Sequence, residues 1–161
     1  MSNKELIQNI NKELENKSTQ EVIEYFLTKF KNVALSSSLA AEDQVLTDII
    51  LKQDKNATIF TLDTGRLHPE TYDVMDATNL KYGVKIDVFF PQNEKVQELY
   101  QNQGVNGHYE SIENRKACCN IRKIEPLKRA LKDAEVWITG LRASQSVTRV
   151  DMPLVEWDEN F

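Results

Sequence analysis

Cysteine is nearly missing from this chain: there are two among 161 residues, adjacent at Cys118 and Cys119. A disulfide between neighbours closes a strained small ring and staples no fold, so a secretory disulfide framework is excluded. Long hydrophobic runs are missing too. No stretch approaches the roughly 18 apolar residues that a membrane-spanning helix needs. The opening Met1-Ser2-Asn3-Lys4-Glu5-Leu6 has no apolar centre of a signal peptide, and a cytoplasmic protein is expected. Nor is there an excess of cations: 20 Lys and Arg face 25 Asp and Glu, a net charge of −5. With a pI near 5.1, this balance argues against general nucleic-acid binding, which wants a basic face. Repeats, linkers and low-complexity tracts are absent. The 40% hydrophobic content suits one globular domain over 1–161 with a real core.

Against this acidic background, the cysteines sit in the most basic stretch of the chain. Arg115, Lys116, Arg122, Lys123, Lys128 and Arg129 surround them, opposed by Glu125 alone. Cations beside a thiol stabilise its thiolate, the form that binds metals and attacks electrophiles. They also make a place for an anionic ligand. The plainer alternative is two small buried hydrophobes near a helix start. Tetrahedral zinc or an iron–sulfur cluster needs four ligands, and this pair supplies half.

Hydrophobic spacing predicts helices over 4–17, 19–29, 41–52, 69–82, 94–103 and 120–131, and short buried strands over 33–36, 58–62, 85–90 and 136–139. A last strand is expected over 154–157. The first two helices form an N-terminal segment, 1–31. Strands alternating with helices of about a dozen residues imply an α/β fold: a mostly parallel sheet with helices on both faces. Such sheets bind ligands at the carboxyl ends of their strands.

The turns after the strands carry the chemistry. Ser36, Ser37 and Ser38, followed by Leu39-Ala40-Ala41-Glu42-Asp43, offer hydroxyls and free N–H groups at a helix start, suited to phosphate or sulfate. The competing reading is a serine N-cap, with Glu42 and Asp43 complementing the helix dipole. After the second strand come Leu62, Asp63, Thr64, Gly65 and Arg66, then Leu67-His68-Pro69-Glu70-Thr71. Asp63 and Thr64 suit a ribose or base, Gly65 a tight turn, and Arg66 an anion. An ordinary strand–loop–helix turn explains Gly65 and Pro69 but not Asp63 or Arg66. After the 136–139 strand, Gly140 lets a ligand approach the backbone, and Arg142 and Arg149 can grip phosphate or sulfate oxygens in bidentate fashion. A solvated turn with surface arginines is the alternative. His68 reads as a cap or loop hydrogen-bonder, and His108 has no convincing partner.

Three of these segments together resemble the assimilatory sulfonucleotide reductases, which act on adenylyl sulfate (APS) or 3′-phosphoadenylyl sulfate (PAPS). The matching residues are Leu62-Asp63-Thr64-Gly65-Arg66-Leu67-His68-Pro69-Glu70-Thr71, Cys118-Cys119-Asn120-Ile121-Arg122-Lys123-Ile124-Glu125-Pro126-Leu127, and Thr139-Gly140 through Arg142 with Thr148-Arg149. The likeness covers roughly 33–157. It implies a Rossmann-like, adenine-nucleotide α-hydrolase-type three-layer sandwich. It implies that the serine loop with Leu62, Asp63 and Thr64 holds the adenosine and its phosphate. Lys123, Arg149, Arg66 and Arg142 would line the sulfate end, and Arg122, which with Lys123 offsets the charge of the cysteine pair, is counted among the substrate-binding residues. The adjacent cysteines mark the branch similar to [4Fe-4S]-containing, usually APS-using reductases, with Cys118 and Cys119 as two cluster ligands. The implied partners are APS, PAPS or AMP, with thioredoxin or glutaredoxin as reductant, in the sulfate-assimilation route to cysteine. A homo-oligomer is left open, and no nucleic acid or membrane is implied.

In that family a downstream Cys-x-x-Cys completes the cluster, and a cysteine in a C-terminal Glu-Cys-Gly-type motif is the nucleophile. The chain stops at Phe161 before any of these, so a C-terminal truncation without turnover is expected. Leu39-Ala40 also departs from the glycine that relatives usually place in the serine loop. PAPS reduction is an alternative, and so is a non-catalytic sulfonucleotide- or AMP-binding module. The related ATP pyrophosphatases are disfavoured, because their Ser-Gly-Gly-x-Asp-Ser loop is absent.

Overall fold

The computed structural model describes residues 2–142 and 152–161. Four short strands form one parallel sheet in the order β3-β2-β1-β4: β1 (Val33–Ser36), β2 (Thr58–Leu62), β3 (Asp87–Phe89) and β4 (Val136–Thr139). Because the side-chain period of a strand is two, β1 feeds two cores. Val33 and Leu35 face one side, where Leu35 and Ile59 pack against Ile23, Ile50 and Leu51, and Val33 against Ile10, Leu14 and Phe26. Ala34 faces the other side with Phe60, Leu127 and Leu131. Helices therefore cover both faces, giving three layers with the sheet between.

On the first face lie α1 (Asn3–Leu14), α2 (Thr19–Lys29) and α3 (Ala41–Gln53). Both N-terminal helices start with a capping box. Ser2 accepts from the Glu5 N–H and Ser18 from the Glu21 N–H, and each glutamate reaches back to its serine, filling N–H groups that a helix start leaves unpaired. Proline opens α4 (Pro69–Tyr82), where its missing N–H costs nothing. The chain continues through α5 (Asn93–Gln103), a 3₁₀ turn at Gly107–Tyr109, α6 (Ile112–Cys119), a π-helical turn at Asn120–Ile124, and α7 (Glu125–Ala130). Pro126 gives the π turn a cause. It has no N–H for the Arg122 carbonyl four residues back, and its ring crowds that carbonyl. The ladder widens instead, with the Glu125 N–H reaching Asn120.

The sheet, its parallel sense and strands β1, β2 and β4 match the sequence expectation, and four other segments differ. The helix expected at 120–131 starts earlier, at Ile112, capped by the Ser111 hydroxyl accepting from Asn114 N–H at 3.0 Å. The strand expected at 85–90 narrows to Asp87–Phe89. The Ile86 N–H is taken by the Asn79 side chain at 2.9 Å, and the Phe90 carbonyl by Arg129. No strand forms at 154–157, because Val155 pairs with a side chain: Asn11 Nδ2 donates to its carbonyl at 2.7 Å and Asn11 Oδ1 accepts from its N–H at 3.0 Å. Finally, α1 ends at Leu14, three residues short of the expected 17, where the Lys17 N–H closes a turn on the Leu14 carbonyl.

Candidate functional site

The strand order places β1 between β2, reached through α3, and β4, which follows α7. The order in which parallel strands are added reverses at the β1–β4 pair, where α/β sheets open a crevice at the carboxyl ends. Ser36, Ser37 and Ser38 stand there, followed by α3. The cap of α3 is Ala40, with no side-chain bond, so the serine N-cap reading is set aside. Asp43, buried, holds the loop instead. Its Oδ2 accepts from the Ser38 N–H at 2.6 Å and from the Ser38 hydroxyl at 2.5 Å. The Ser37 N–H donates to the Phe60 carbonyl, Leu39 N–H to the Ser37 hydroxyl, and Ala40 N–H to the Ser38 hydroxyl. The free N–H groups expected across 37–40 are thus already paired. Those of the first turn of α3 remain, as at any helix start.

Leu39 is the one non-glycine with a positive φ, 65°, among the described residues. That conformation costs an L-residue about 1 kcal/mol or more, and the burial of the Leu39 side chain in the main core offsets it. The turn accepts leucine where glycine is the easy choice because leucine brings apolar contact.

After β2, buried Asp63 organises its own turn. Oδ1 accepts from the Gly65 N–H at 2.7 Å and Oδ2 from the Tyr72 hydroxyl at 2.8 Å. This bond to the Asp63 carboxylate raises the Tyr72 phenol above its ordinary pKa. Gly65 has φ 72°, and a Cβ there would lie 3.3 Å from Arg122 Nη1, so glycine answers both a backbone and a packing demand. Leu62 ends the strand against the core of α7. Thr64 contributes its carbonyl to Arg122 at 2.5 Å, and its hydroxyl accepts from the Arg66 N–H at 3.3 Å. The Arg66 guanidinium is tied to the loop before α6: Nη1 donates to the Val105 carbonyl at 2.6 Å and Nη2 to Asn106 Oδ1 at 2.9 Å.

Gly140 follows β4 and meets Asp43. A Cβ on Gly140 would lie 2.0 Å from Asp43 Oδ1, so glycine here serves close approach of the β1 loop to the β4 loop. Arg142 pairs with Glu42 at the start of α3. Thr148 and Arg149 lie outside the described residues.

The double cysteine closes α6, with both thiols free and half-buried. Cys118 lines a cleft with Arg66, Leu99, Tyr100, His108 and Arg122. Arg122, in the π turn, is only 4% exposed, and its Nε and Nη2 have no hydrogen-bond partner among the described residues. Its guanidinium lies 5.2 Å from the centre of the Tyr100 ring. Lys123 is exposed beside it. Among the described residues no three Cys, His, Asp or Glu side chains gather as metal ligands. Two soft sulfur donors in a cationic stretch are the donor chemistry of half a four-cysteine iron–sulfur site.

The structure therefore joins Ser38, Asp43 and Gly140 at the β1–β4 crevice. Through the Thr64–Arg122 bond it joins the Asp63 turn to the cysteine helix. Sequence reasoning passed over two residues of this framework. Asp43 was visible only as a first-turn acid, and Tyr72 had no signal beyond lying within a turn of Pro69.

Residues 32–161 match the phosphoadenosine phosphosulfate reductase domain. The chain is 49% identical over 127 residues to adenosine 5′-phosphosulfate reductase of Burkholderia cepacia, spanning 79% of this chain and 51% of that protein. It is 42% identical over 138 residues to the enzyme of the same name from Allochromatium vinosum, 86% of this chain and 54% of that protein. Against 5′-adenylylsulfate reductase 3, chloroplastic, of Arabidopsis thaliana it is 41% identical over 151 residues, 93% of this chain and 32% of that protein. The chain spans about half the length of the bacterial relatives it matches. The fold is similar to the crystal structure of PAPS reductase from Candida auris in a phosphate complex, with a TM-score of 0.79, 25% identity, and coverage of 99% of this chain and 75% of that one.

Proposed function

Because this chain belongs to the phosphoadenosine phosphosulfate reductase domain family, we propose that it is the sulfonucleotide-binding portion of an adenylyl-sulfate reductase of cytoplasmic sulfate assimilation. In the reaction two electrons from a thioredoxin- or glutaredoxin-type dithiol, which becomes a disulfide, reduce the sulfate sulfur of APS to sulfite as AMP leaves. The sulfite then serves cysteine biosynthesis. The observation that carries this reading is the bond between buried Arg122 and the Thr64 carbonyl. It brings the adenosine-side turn and the cationic double-cysteine helix to one place.

The roles follow from that arrangement. Leu62, Asp63 and Thr64 border the adenosine. The loop of Ser36, Ser37 and Ser38 shapes the place for its phosphate, which the Ser36 hydroxyl and the start of α3 receive, where the helix dipole favours negative charge. Arg122 and Lys123, with Arg66, Arg142 and Arg149, supply positive charge for the sulfate. Cys118 and Cys119 are two ligands of a [4Fe-4S] cluster, which when bound supplies a fixed charge beside the sulfate end. The 161 residues contain no further cysteine to act as nucleophile, so these residues alone bind substrate without reducing it.

Calorimetric titration of the chain with APS, PAPS, AMP and ATP tests the proposal. APS and AMP should bind at one shared site, and Lys123→Ala should weaken APS by about tenfold or more, as loss of a charge-assisted contact does. An APS dissociation constant unchanged in Lys123→Ala contradicts the assignment. Cleavage of ATP to AMP would move the chain to the pyrophosphatase class.

A further inference from the structure

The three serines at the end of β1 are not equivalent. Ser37 is buried, and Ser38 gives its hydroxyl to Asp43. Ser36 is half-buried, and its oxygen accepts from the indole Nε1–H of Trp137 at 2.7 Å. An indole N–H only donates, whereas a serine hydroxyl has one proton and two lone pairs. The bond therefore fixes Ser36 as acceptor toward Trp137 and leaves its single proton to point elsewhere. No acceptor among the described residues takes that proton. The backbone N–H groups of 37–40 are already paired, Ser37 to the Phe60 carbonyl and the other three within the loop, so the Ser36 hydroxyl is a donor left over at the crevice.

Trp137 is well placed to hold this arrangement. It sits on β4 opposite Ala34 in the parallel register and packs on the Phe60, Leu127 and Leu131 core. The Phe161 ring stands edge-on to it, with centroids 5.5 Å apart. The indole is clamped on both sides, and so is the direction of its N–H.

We infer that Trp137 is a positioning residue that orients the Ser36 hydroxyl as a donor to the nucleotide phosphate. This rests on the reading of the crevice given above. The test uses the 161-residue chain carrying Trp157→Phe, which leaves Trp137 as the single indole. In a ¹H–¹⁵N spectrum its indole cross-peak should shift upfield on Ser36→Ala, and it should move on addition of AMP. By calorimetry, Trp137→Phe and Ser36→Ala should each weaken AMP binding about 5–10-fold, the loss of roughly one hydrogen bond. The double variant should be no weaker than either single one, because both remove the same interaction.

A purely structural role for Trp137 predicts the opposite pattern, in which the two losses multiply. That result, AMP binding unaltered in Trp137→Phe, or an indole peak indifferent to Ser36→Ala would overturn the positioning role alone. A parent chain that binds no AMP at all removes the phosphate-site reading and this role with it.

Discussion

Arg122 Nη1 donates to the Thr64 carbonyl at 2.5 Å, across 58 positions of sequence, and fixes the double-cysteine helix against the turn after β2. The same guanidinium leaves Nε and Nη2 buried without partners among the described residues. Among the described residues no carboxylate pairs with it, and a buried cation without one is costly to hold in a free protein. Its remaining donors describe a place prepared for an anion.

Replacing that cation should separate stability from binding. In Arg122→Met the stem volume is kept and the buried charge removed, so thermal stability should stay within about 1 kcal/mol of the parent or rise. APS affinity should fall by about tenfold or more, since charge-assisted contacts contribute about 1.5–3 kcal/mol. Differential scanning calorimetry beside isothermal titration reads both. A variant that melts far below the parent, or that binds APS equally well, goes against this account of Arg122.

Gly140→Ala should destabilise the chain by about 1–3 kcal/mol, the usual cost of forcing a methyl into a packed site. The added Cβ falls 2.0 Å from Asp43 Oδ1 and pushes the carboxylate off Ser38. Since Asp43 is the group it strikes, Asp43→Ala should cost less in the Gly140→Ala background than in the parent. Urea denaturation of the four proteins in the cycle measures the coupling, and additive losses would show that the glycine is needed for another reason.

Glu21 should titrate at about pH 2. The Ser18 N–H, the Ser18 hydroxyl and Lys17, in that order, stabilise its carboxylate. A carboxyl with a depressed folded-state pKa stabilises the fold above its unfolded value near 4.5, and that contribution disappears as pH falls through about 2. The side-chain carbon resonance of Glu21 should show that midpoint, and Ser18→Ala should return it toward 4.5. A midpoint near 4.5 in the parent would mean that the capping box is not formed in solution.

Pro126→Ala should restore the N–H that the Arg122 carbonyl lacks and draw the π turn toward an α-helix. The chain should be as stable as the parent or more so. Its APS affinity should fall several-fold, because the rotation carries Arg122 away from Thr64 and turns Lys123 with it. Circular dichroism with calorimetric titration checks the pair, and unchanged affinity with raised helicity would show that the π turn does not aim these residues.

Much of this was legible in the sequence because buried parallel strands are short apolar runs and leave little ambiguity. Val33–Ser36, Thr58–Leu62 and Val136–Thr139 begin and end where the pattern does. The two strand misses share a cause, which is side chains satisfying backbone groups. Asn79 and Arg129 trim β3, and Asn11 stands in for a neighbouring strand at Val155. Helix Ile112–Cys119 escaped because it fully buries none of its residues and so carries no apolar period. Within the site, the residue types at the strand ends were legible, but their pairing was not. Composition alone cannot tell that Asp43 and Asp63 close their own loops, or that Arg66 reaches residues 105–106.

The central claim is that the turns after β1, β2 and β4 and the π turn bound one nucleotide. A titration of the isotope-labelled chain with AMP, followed by amide shifts, tests it most directly. Residues 36–43, 62–66, 120–124 and 139–142 should move together with a common dissociation constant. Shifts confined to one of these segments, or gathered on the far side of the sheet, would contradict it.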